Sequence, residues 1–568
     1  MKVSDYIVEY LISKKITDVF GYPGGMVTHL MESFRKYKTQ ISAHLMYHEQ
    51  GAAFAACGYA QSSGKVGVAY ATSGPGATNL ITGICNAYFD SIPTLFLTGQ
   101  VNTFESKGDL TVRQRGFQET DIVSMITDVT KYACTVDNPV RIRWYLDYAF
   151  WKALSGRKGP VLLDIPINIF RSEINPEELE GYTPSESYNI IPEEHSYMIW
   201  DKLSIAKRPV LIIGNGVKIS NSEDLICSIV HRLAIPVIST MLAVDVLANN
   251  PFYYGFIGAY GDRTANFIAA KSDLIIALGA RLDVRQVGAK RENFAPDATI
   301  IRVDIDEGEL QYKVREDEIQ ICTDVRNVLD GITHILNQHK PDFYSWISVC
   351  NTVKETLNGY DERRPNVLMS KLSQYMHNGT IITTDVGQNQ VWAAQSLKIK
   401  DKQKVFFSGG HGAMGYSLPA AIGCCLASKN TVYSINGDGG FQMNIQEMQM
   451  IFREKLPIQI IIFNNSALGM IRHFQEMYFS GEYYQTIPQG GYTVPDFGAI
   501  AEAYGIPYKI IENESQIDEL IFRQNEPCLI EVRIPEDTYV FPKLEFGKPN
   551  QDQEPLLNRE LYERLMQL

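Results

Sequence analysis

Short apolar runs rich in β-branched residues recur along the chain. They fall at 66–71, 94–98, 161–165, 210–213, 274–278, 300–303, 381–384, 432–435 and 458–463, and stretches with helical spacing separate them. A run of about five residues without polar alternation belongs in a strand covered on both faces, the condition of a parallel sheet flanked by helices. The fold class this predicts is α/β, with doubly wound parallel sheets. A chain of 568 residues is too long for one core, and roughly two to four domains are expected. Two polar, irregular stretches divide it: RSEINPEELEGYTPSESYNIIPEEH over 171–195, and a second around NQHKPDFYS, 337–345. The expected blocks are 1–170, 190–340 and 365–540, followed by a Pro- and charge-rich tail over 541–568 that ends weakly helical.

Composition narrows the function classes. The net charge is −13, from 52 Lys and Arg against 65 Asp and Glu. That sign argues against a general nucleic-acid binder, which needs a basic face, but leaves room for a local phosphate pocket. The nine cysteines form no CxxC pair and read as reduced thiols of a cytosolic protein. The opening MKVSDYIVEYLISKK is an amphipathic helix pattern rather than a signal peptide. No uninterrupted apolar run approaches the ~20 residues of a membrane span. A soluble, cytoplasmic protein with no membrane or nucleic-acid partner is expected.

The most informative segment is NGDGGFQMNIQEMQMIFREKLPIQIIIFNN, 436–465. A strand leads into a turn at Gly437-Asp438-Gly439-Gly440. A helix is predicted over 441–456, with Ile445, Met448, Ile451, Phe452 and Leu456 on one face. Pro457 stops it, and a second strand ends at Asn464-Asn465. A right-handed crossover makes the two strands parallel, so Asp438 and Asn465 share one carboxyl edge, where open α/β sheets bind ligands. One carboxylate and one amide oxygen suit Mg²⁺, and glycines at a helix start suit a diphosphate. Glu49, in YHEQGAAFAA, opens a run of small apolar residues. By local pattern alone it is a helix-start glutamate favoured by the macrodipole, and Met414 is a filler of core gaps.

The GDG–helix–strand–NN order resembles the thiamine diphosphate (ThDP) motif. GYPGGMV (21–27), HEQGAA (48–53), GKVGVAYATSGPGATNLITGI (64–84), DSIPTLFLTGQV (90–101), FQETDIV (117–123), DVGQNQVWAAQ (385–395) and GAMGYSLPAAIG (412–423) all resemble acetolactate synthase large subunits. The likeness covers almost the whole chain up to about 540. It implies a ThDP-binding fold for the first and third domains and a Rossmann-like central domain between them. The cofactor would lie between the first domain of one subunit and the third of another, in a homodimer or homotetramer; a regulatory small subunit is compatible with it.

Residue by residue, the resemblance assigns Asp438, Asn465 and the Ala467 carbonyl to Mg²⁺. Gly387, Gln388, Asn389, Gly412, Gly437, Gly439, Gly440, Leu468, Gly469 and Met470 match cofactor contacts, and Met414 matches the residue that bends the thiamine. Glu49 matches the glutamate that hydrogen-bonds the aminopyrimidine and so promotes loss of the C2 proton. Gln100, Phe117 and Gln118 match positions near the reaction centre. FAD, structural rather than redox, is implied for the central domain. Its candidate contacts are Gly214, Gly216, Thr240, Gly279, Arg281, Asp304 and Asp324. The implied reaction is decarboxylation of a 2-oxo acid, pyruvate, and joining of the two-carbon unit to a second 2-oxo acid.

Departures cluster on the acceptor side. Phe474 stands where the family has tryptophan, and His411 where an apolar residue is usual. KGDLTVRQRGFQE (107–119) brings Arg113 and Arg115 near Gln118, while Arg285 is kept among changed neighbours. Such changes alter selectivity by roughly 10–200-fold. A nucleotide-linked keto sugar, whose phosphates the arginines would meet, is therefore an alternative acceptor. A regulatory nucleotide-binding protein that kept the fold is the non-enzyme alternative, opposed by the intact Glu49, Asp438 and Asn465.

Overall fold

The computed structural model describes residues 1–184, 193–336, 341–523 and 525–568. The middle of the stretch read as a linker, 185–192, and part of the second break, 337–340, lie outside the described residues.

Among the described residues, eighteen strands form three six-stranded sheets, parallel throughout. The first sheet contains β1 (Asp18–Gly21), β2 (Ser42–Leu45), β3 (Gly67–Ala71), β4 (Thr94–Gln100), β5 (Tyr132–Thr135) and β6 (Pro160–Pro166). Their order is β2-β1-β3-β4-β6-β5. The second contains β7 (Pro209–Ile213), β8 (Val237–Ser239), β9 (Tyr253–Phe256), β10 (Leu274–Leu278), β11 (Thr299–Asp304) and β12 (Ile319–Cys322), ordered β12-β11-β10-β7-β8-β9. The third contains β13 (Ile381–Thr384), β14 (Lys404–Phe407), β15 (Val432–Gly437), β16 (Ile458–Asn464), β17 (Tyr508–Ile511) and β18 (Cys528–Arg533), ordered β14-β13-β15-β16-β18-β17. The α/β expectation holds. The predicted runs are the central, fully buried strands, such as β3, β10 and β16. The short or half-exposed β2, β5 and β17 carry weaker apolar patterns.

The helix expected over 441–456 is not continuous. It is Asp438–Met443, a 3₁₀ turn at Ile445–Glu447, then Met448–Glu454. Asn444 leaves helical geometry, at φ −134° and ψ 31°, and its amide donates to the Gly415 carbonyl (2.8 Å) and to Gln50 Oε1 (3.2 Å). Tertiary hydrogen bonds thus outcompete the helical period. Met448, Ile451 and Leu456 of the expected face are buried, whereas Phe452 is exposed and Met450 joins the core.

The first and third domains share one core. The helix Glu49–Ser63 lies against Ser417–Ser428, and small residues let the two backbones touch. A Cβ on Gly58 would stand 2.1 Å from the Ala420 carbonyl, and one on Gly423 would stand 1.9 Å from that of Ala55. One hydrophobic cluster runs through Ala52, Ala53, Ala56, Leu418, Ile422 and Met448. The tail is a strap over the central domain. Arg263 donates to the Gln553 and Pro555 carbonyls, Leu544 N to Ala259 O, and the helix Arg559–Gln567 packs Leu565 on Phe267.

Candidate functional site

Every cofactor candidate sits where its strand ends. In the third domain, β13 runs into Asp385, Gly387, Gln388 and Asn389, β14 into Gly412 and Met414, β15 into Asp438, and β16 into Asn465. Parallel pairing of β15 with β16 sets Gly437 opposite Phe463 and brings Asp438 beside Asn465. Asp438 is buried. Its Oδ1 accepts from the Tyr492 hydroxyl (2.8 Å) and its Oδ2 from Asn465 N (3.1 Å). Burial pushes its carboxyl up to about 6 despite these donors. The Asn465 amide can sit either way. In one orientation Nδ2 donates to Gln388 Oε1 (3.1 Å), and its oxygen faces the Ala467 carbonyl (3.0 Å) and Asp438 Oδ2 (3.2 Å). Three oxygens then converge without a hydrogen between them, an arrangement a cation stabilises. In the other orientation the amide donates to both. Carboxylate, amide and carbonyl oxygens are hard donors that fit Mg²⁺.

The proposed diphosphate turn is closely surrounded. A Cβ on Gly439 would meet Leu468 Cδ2 (2.7 Å), the Tyr492 hydroxyl (3.2 Å) and Met414 Cε (3.4 Å), so Met414 reaches over this turn. Gly469 lies against the Gln388 amide, and Asn389 lies between Gly387 and Gly437. Met470 packs into the third-domain core. Two buried carboxylates hold the Met414 loop. Asp90 accepts from Gly409 N (3.0 Å) and Gly410 N (2.7 Å) before it, and Asp385 from Gly415 N (3.0 Å) and Ser417 N (3.1 Å) after it.

In the first domain, Glu49 opens its helix, 9% exposed, and its Oε2 accepts from Asn79 Nδ2 (3.0 Å). The turn after β3 passes beside it, since a Cβ on Gly76 would lie 3.2 Å from Glu49 Oε1. Gln118, at φ +60°, touches the same turn at Gly74. Gln100 is engaged within the domain, donating to Thr120 O (2.8 Å) and Asp164 Oδ2 (3.0 Å). Phe117 is 77% exposed. Glu119 organises the loop between them: burial would raise it, but Lys107 N, Arg115 N, Ser106 Oγ and Gly116 N hold it down to about 2. The Arg115 guanidinium donates to the Ser106 carbonyl (3.1 Å), and Arg113 is exposed.

The central sheet forms the wall of a cavity of about 390 Å³, lined by Gly216, Thr240, Gly279, Arg281, Arg285, Asp304 and Asp324 among others. Gly214 lies behind this lining, where its N donates to Leu278 O. The cavity also takes Phe89, Asp90, Arg157 and Lys158 from the first domain and Gly409 and Gly410 from the third, none of which the sequence singled out. His411 stacks on Phe89 (5.7 Å, 4°) at its edge. Phe474 is half-exposed and packs on Tyr478 (4.6 Å).

Sequence comparison agrees with this geometry. Residues 1–125, 198–332 and 385–532 match the N-terminal TPP binding, central and C-terminal TPP binding domains of thiamine pyrophosphate enzymes. That defines the class. The chain is 36% identical over 556 residues to the acetolactate synthase large subunit of Lactococcus lactis, covering 96% of this chain and 94% of that one. It is 34% identical to the acetolactate synthase isozyme 2 large subunit of Escherichia coli (97% and 99% covered) and 35% to the chloroplastic acetolactate synthase 2 of Zea mays (96% and 87%). The chain belongs to the acetolactate synthase large-subunit family. Among the described residues no helix is long and apolar enough to cross a membrane.

Proposed function

We propose that this chain is a ThDP- and Mg²⁺-dependent carboligase that decarboxylates pyruvate and joins the two-carbon unit to a second 2-oxo acid. The observation that carries the reading is that the Asn465 side chain lies 3.0 Å from the Ala467 carbonyl and 3.2 Å from Asp438 Oδ2, next to the Gly439 turn that Met414 reaches, on a domain of the ThDP-binding class. When bound, the cofactor supplies the electron sink for decarboxylation and the nucleophilic carbon for the new bond. The chain's residues do the rest. Asp438, Asn465 and the Ala467 carbonyl would hold Mg²⁺. Gly439, Gly440 and Gln388 present the turn, and Met414 and Leu468 close over it. Glu49 would hydrogen-bond a ring nitrogen of the aminopyrimidine. Gln118 is placed to donate to a developing alkoxide.

Completion of the site by a second copy, in a homodimer or homotetramer, is part of the proposal, as is cytoplasmic location. The domain limits 1–170, 190–340, 365–540 and 541–568 are also proposed. The keto-sugar acceptor is not favoured, since the similar proteins are acetolactate synthases. Incubation with pyruvate, Mg²⁺ and ThDP is expected to give acetolactate, read as acetoin after acid treatment. Absence of product with loaded enzyme would overturn the reading.

The central cavity suits FAD as a structural cofactor. Its size lies within the roughly 300–1,000 Å³ of ligand pockets, and its lining includes Lys158 and Arg285 together with Arg157, ion-paired with Asp306 and Glu309, and Arg281, ion-paired with Asp283. Purified protein is expected to be yellow. A colourless preparation that binds no added FAD would remove this part of the proposal.

A further inference from the structure

Glu447 is a fully buried carboxylate without an ion pair among the described residues. Such a group is costly unless hydrogen bonds compensate it. Here they come from the other cofactor-binding domain. Both Glu447 oxygens accept from Tyr47 N (3.1 Å each), and Oε1 also accepts from His48 N (3.0 Å). These are the two residues before Glu49. The next turn of the helix is shaped to the same group, since a Cβ on Gly51 would lie 2.5 Å from Glu447 Oε1. Around it, Arg453 donates to the Tyr47 hydroxyl (3.0 Å) and Leu45 carbonyl (2.9 Å), and Asn444 to Gln50 Oε1.

The break in the third-domain helix gives this contact its reason. Helix Asp438–Met443 starts at the proposed metal and diphosphate turn, and the 3₁₀ turn Ile445–Glu447 that follows aims Glu447 at the strand-to-helix junction carrying Glu49. Asn138, Asn175 and Asp324 serve helix or turn starts from their own chain neighbourhood. Glu447 does so from about four hundred residues away, and it binds N–H groups outside the helix rather than its first free amides.

We propose that Glu447 is a positioning residue: by fixing the Tyr47 and His48 amides it sets where the Glu49 carboxylate stands. The inference rests on the proposed role of Glu49. Misplacing a reacting group by an ångström can cost about 10²-fold. A glutamine at 447 keeps one oxygen able to accept from both amides but sets an NH₂ against the Tyr47 N–H, so it should substitute only in part.

The test is hydrogen–deuterium exchange at C2 of ThDP bound to the Mg²⁺-loaded enzyme at saturating cofactor, with ThDP affinity measured alongside. Exchange in Glu447→Ala is expected to slow by about tenfold or more, with affinity nearly unchanged and partial recovery in Glu447→Asp. Glu447→Gln carries the same test should the alanine variant fail to fold. Wild-type exchange in the folded Glu447 variants, with Glu49→Gln silenced, would make Glu447 merely structural and overturn the proposal. A deficit that disappears once the cofactor saturates would overturn it too. Normal exchange in Glu49→Gln would instead remove the reading on which the proposal stands.

Discussion

At the scale of single residues, the proposed chemistry reduces to one carboxylate on each cofactor-binding domain. Glu49 has one side-chain donor, Asn79, and one oxygen left beside Gly76. Glu49→Gln keeps the shape and the contact to Asn79 but loses the proton-accepting oxygen. It is expected to fold normally and to slow C2 exchange of bound ThDP by about 10²-fold or more; exchange at the wild-type rate would remove Glu49 from the chemistry. Asp438 and Asn465 could be singled out from the order of turn, helix, strand and Asn-Asn, and Glu49 only through the family resemblance. Their partners could not. Tyr492 bonds Asp438, Asn79 bonds Glu49 and Glu447 bonds Tyr47, each across the fold, and no local pattern distinguishes these residues from ordinary polar ones.

At the scale of elements, the loop from Ser408 to Ser417 matters most, because it carries Met414. Four backbone amides of this loop end on Asp90 and Asp385, and Ser408 Oγ links its start to Asn86 (2.6 Å) and to Ala413 N (2.9 Å). Asp90 also lines the central cavity, so one carboxylate joins the proposed flavin wall to the thiamine loop. Asp90→Ala leaves the Gly409 and Gly410 amides without acceptors. It is expected to destabilise the protein by about 1–3 kcal/mol, read as a lower urea midpoint, and to weaken FAD binding in parallel. An unchanged midpoint would show that these amides find other partners. The same loop marks the limit of sequence reading. Buried strands announce themselves by composition, whereas the break at Asn444 and the clamp on Met414 depend on groups that become neighbours only after folding.

At the scale of the whole molecule, acids are buried within each domain, as Asp164, Asp262 and Asp385 are, and at the contacts that join the first domain to the third, as Asp90 and Glu447 are. Burial raises Asp90 and Asp385 to about 6, and Asp164, Asp262 and Glu447 to about 7. In the unfolded chain these carboxyls titrate near pH 4. Between about pH 6.5 and 8 the folded protein therefore holds protons that the unfolded chain has already released. The derivative of unfolding free energy with pH follows the protons bound unfolded minus folded, which is negative here. The stabilisation is present at low pH and lost as pH rises through 6 and 7. Three histidines oppose this, and so does Lys131, which burial lowers to about 8, toward the upper end of the range. Burial lowers His29 and His411, and takes His473 to about 4 with help from Lys543 and Arg472. Their unfolded forms are mostly neutral above about 6.5, so their contribution ends where that of Asp164, Asp262 and Glu447 is steepest. The cofactor-free protein should accordingly be more stable at pH 6.5 than at pH 8. Unfolding it with urea in weak buffer near pH 7 should release on the order of one proton per chain. Proton uptake, or a urea midpoint that rises from pH 6.5 to 8, would mean that water reaches these carboxylates in the folded protein. The contacts between the first and third domains, Glu447 on Tyr47 above all, would then be open rather than sealed.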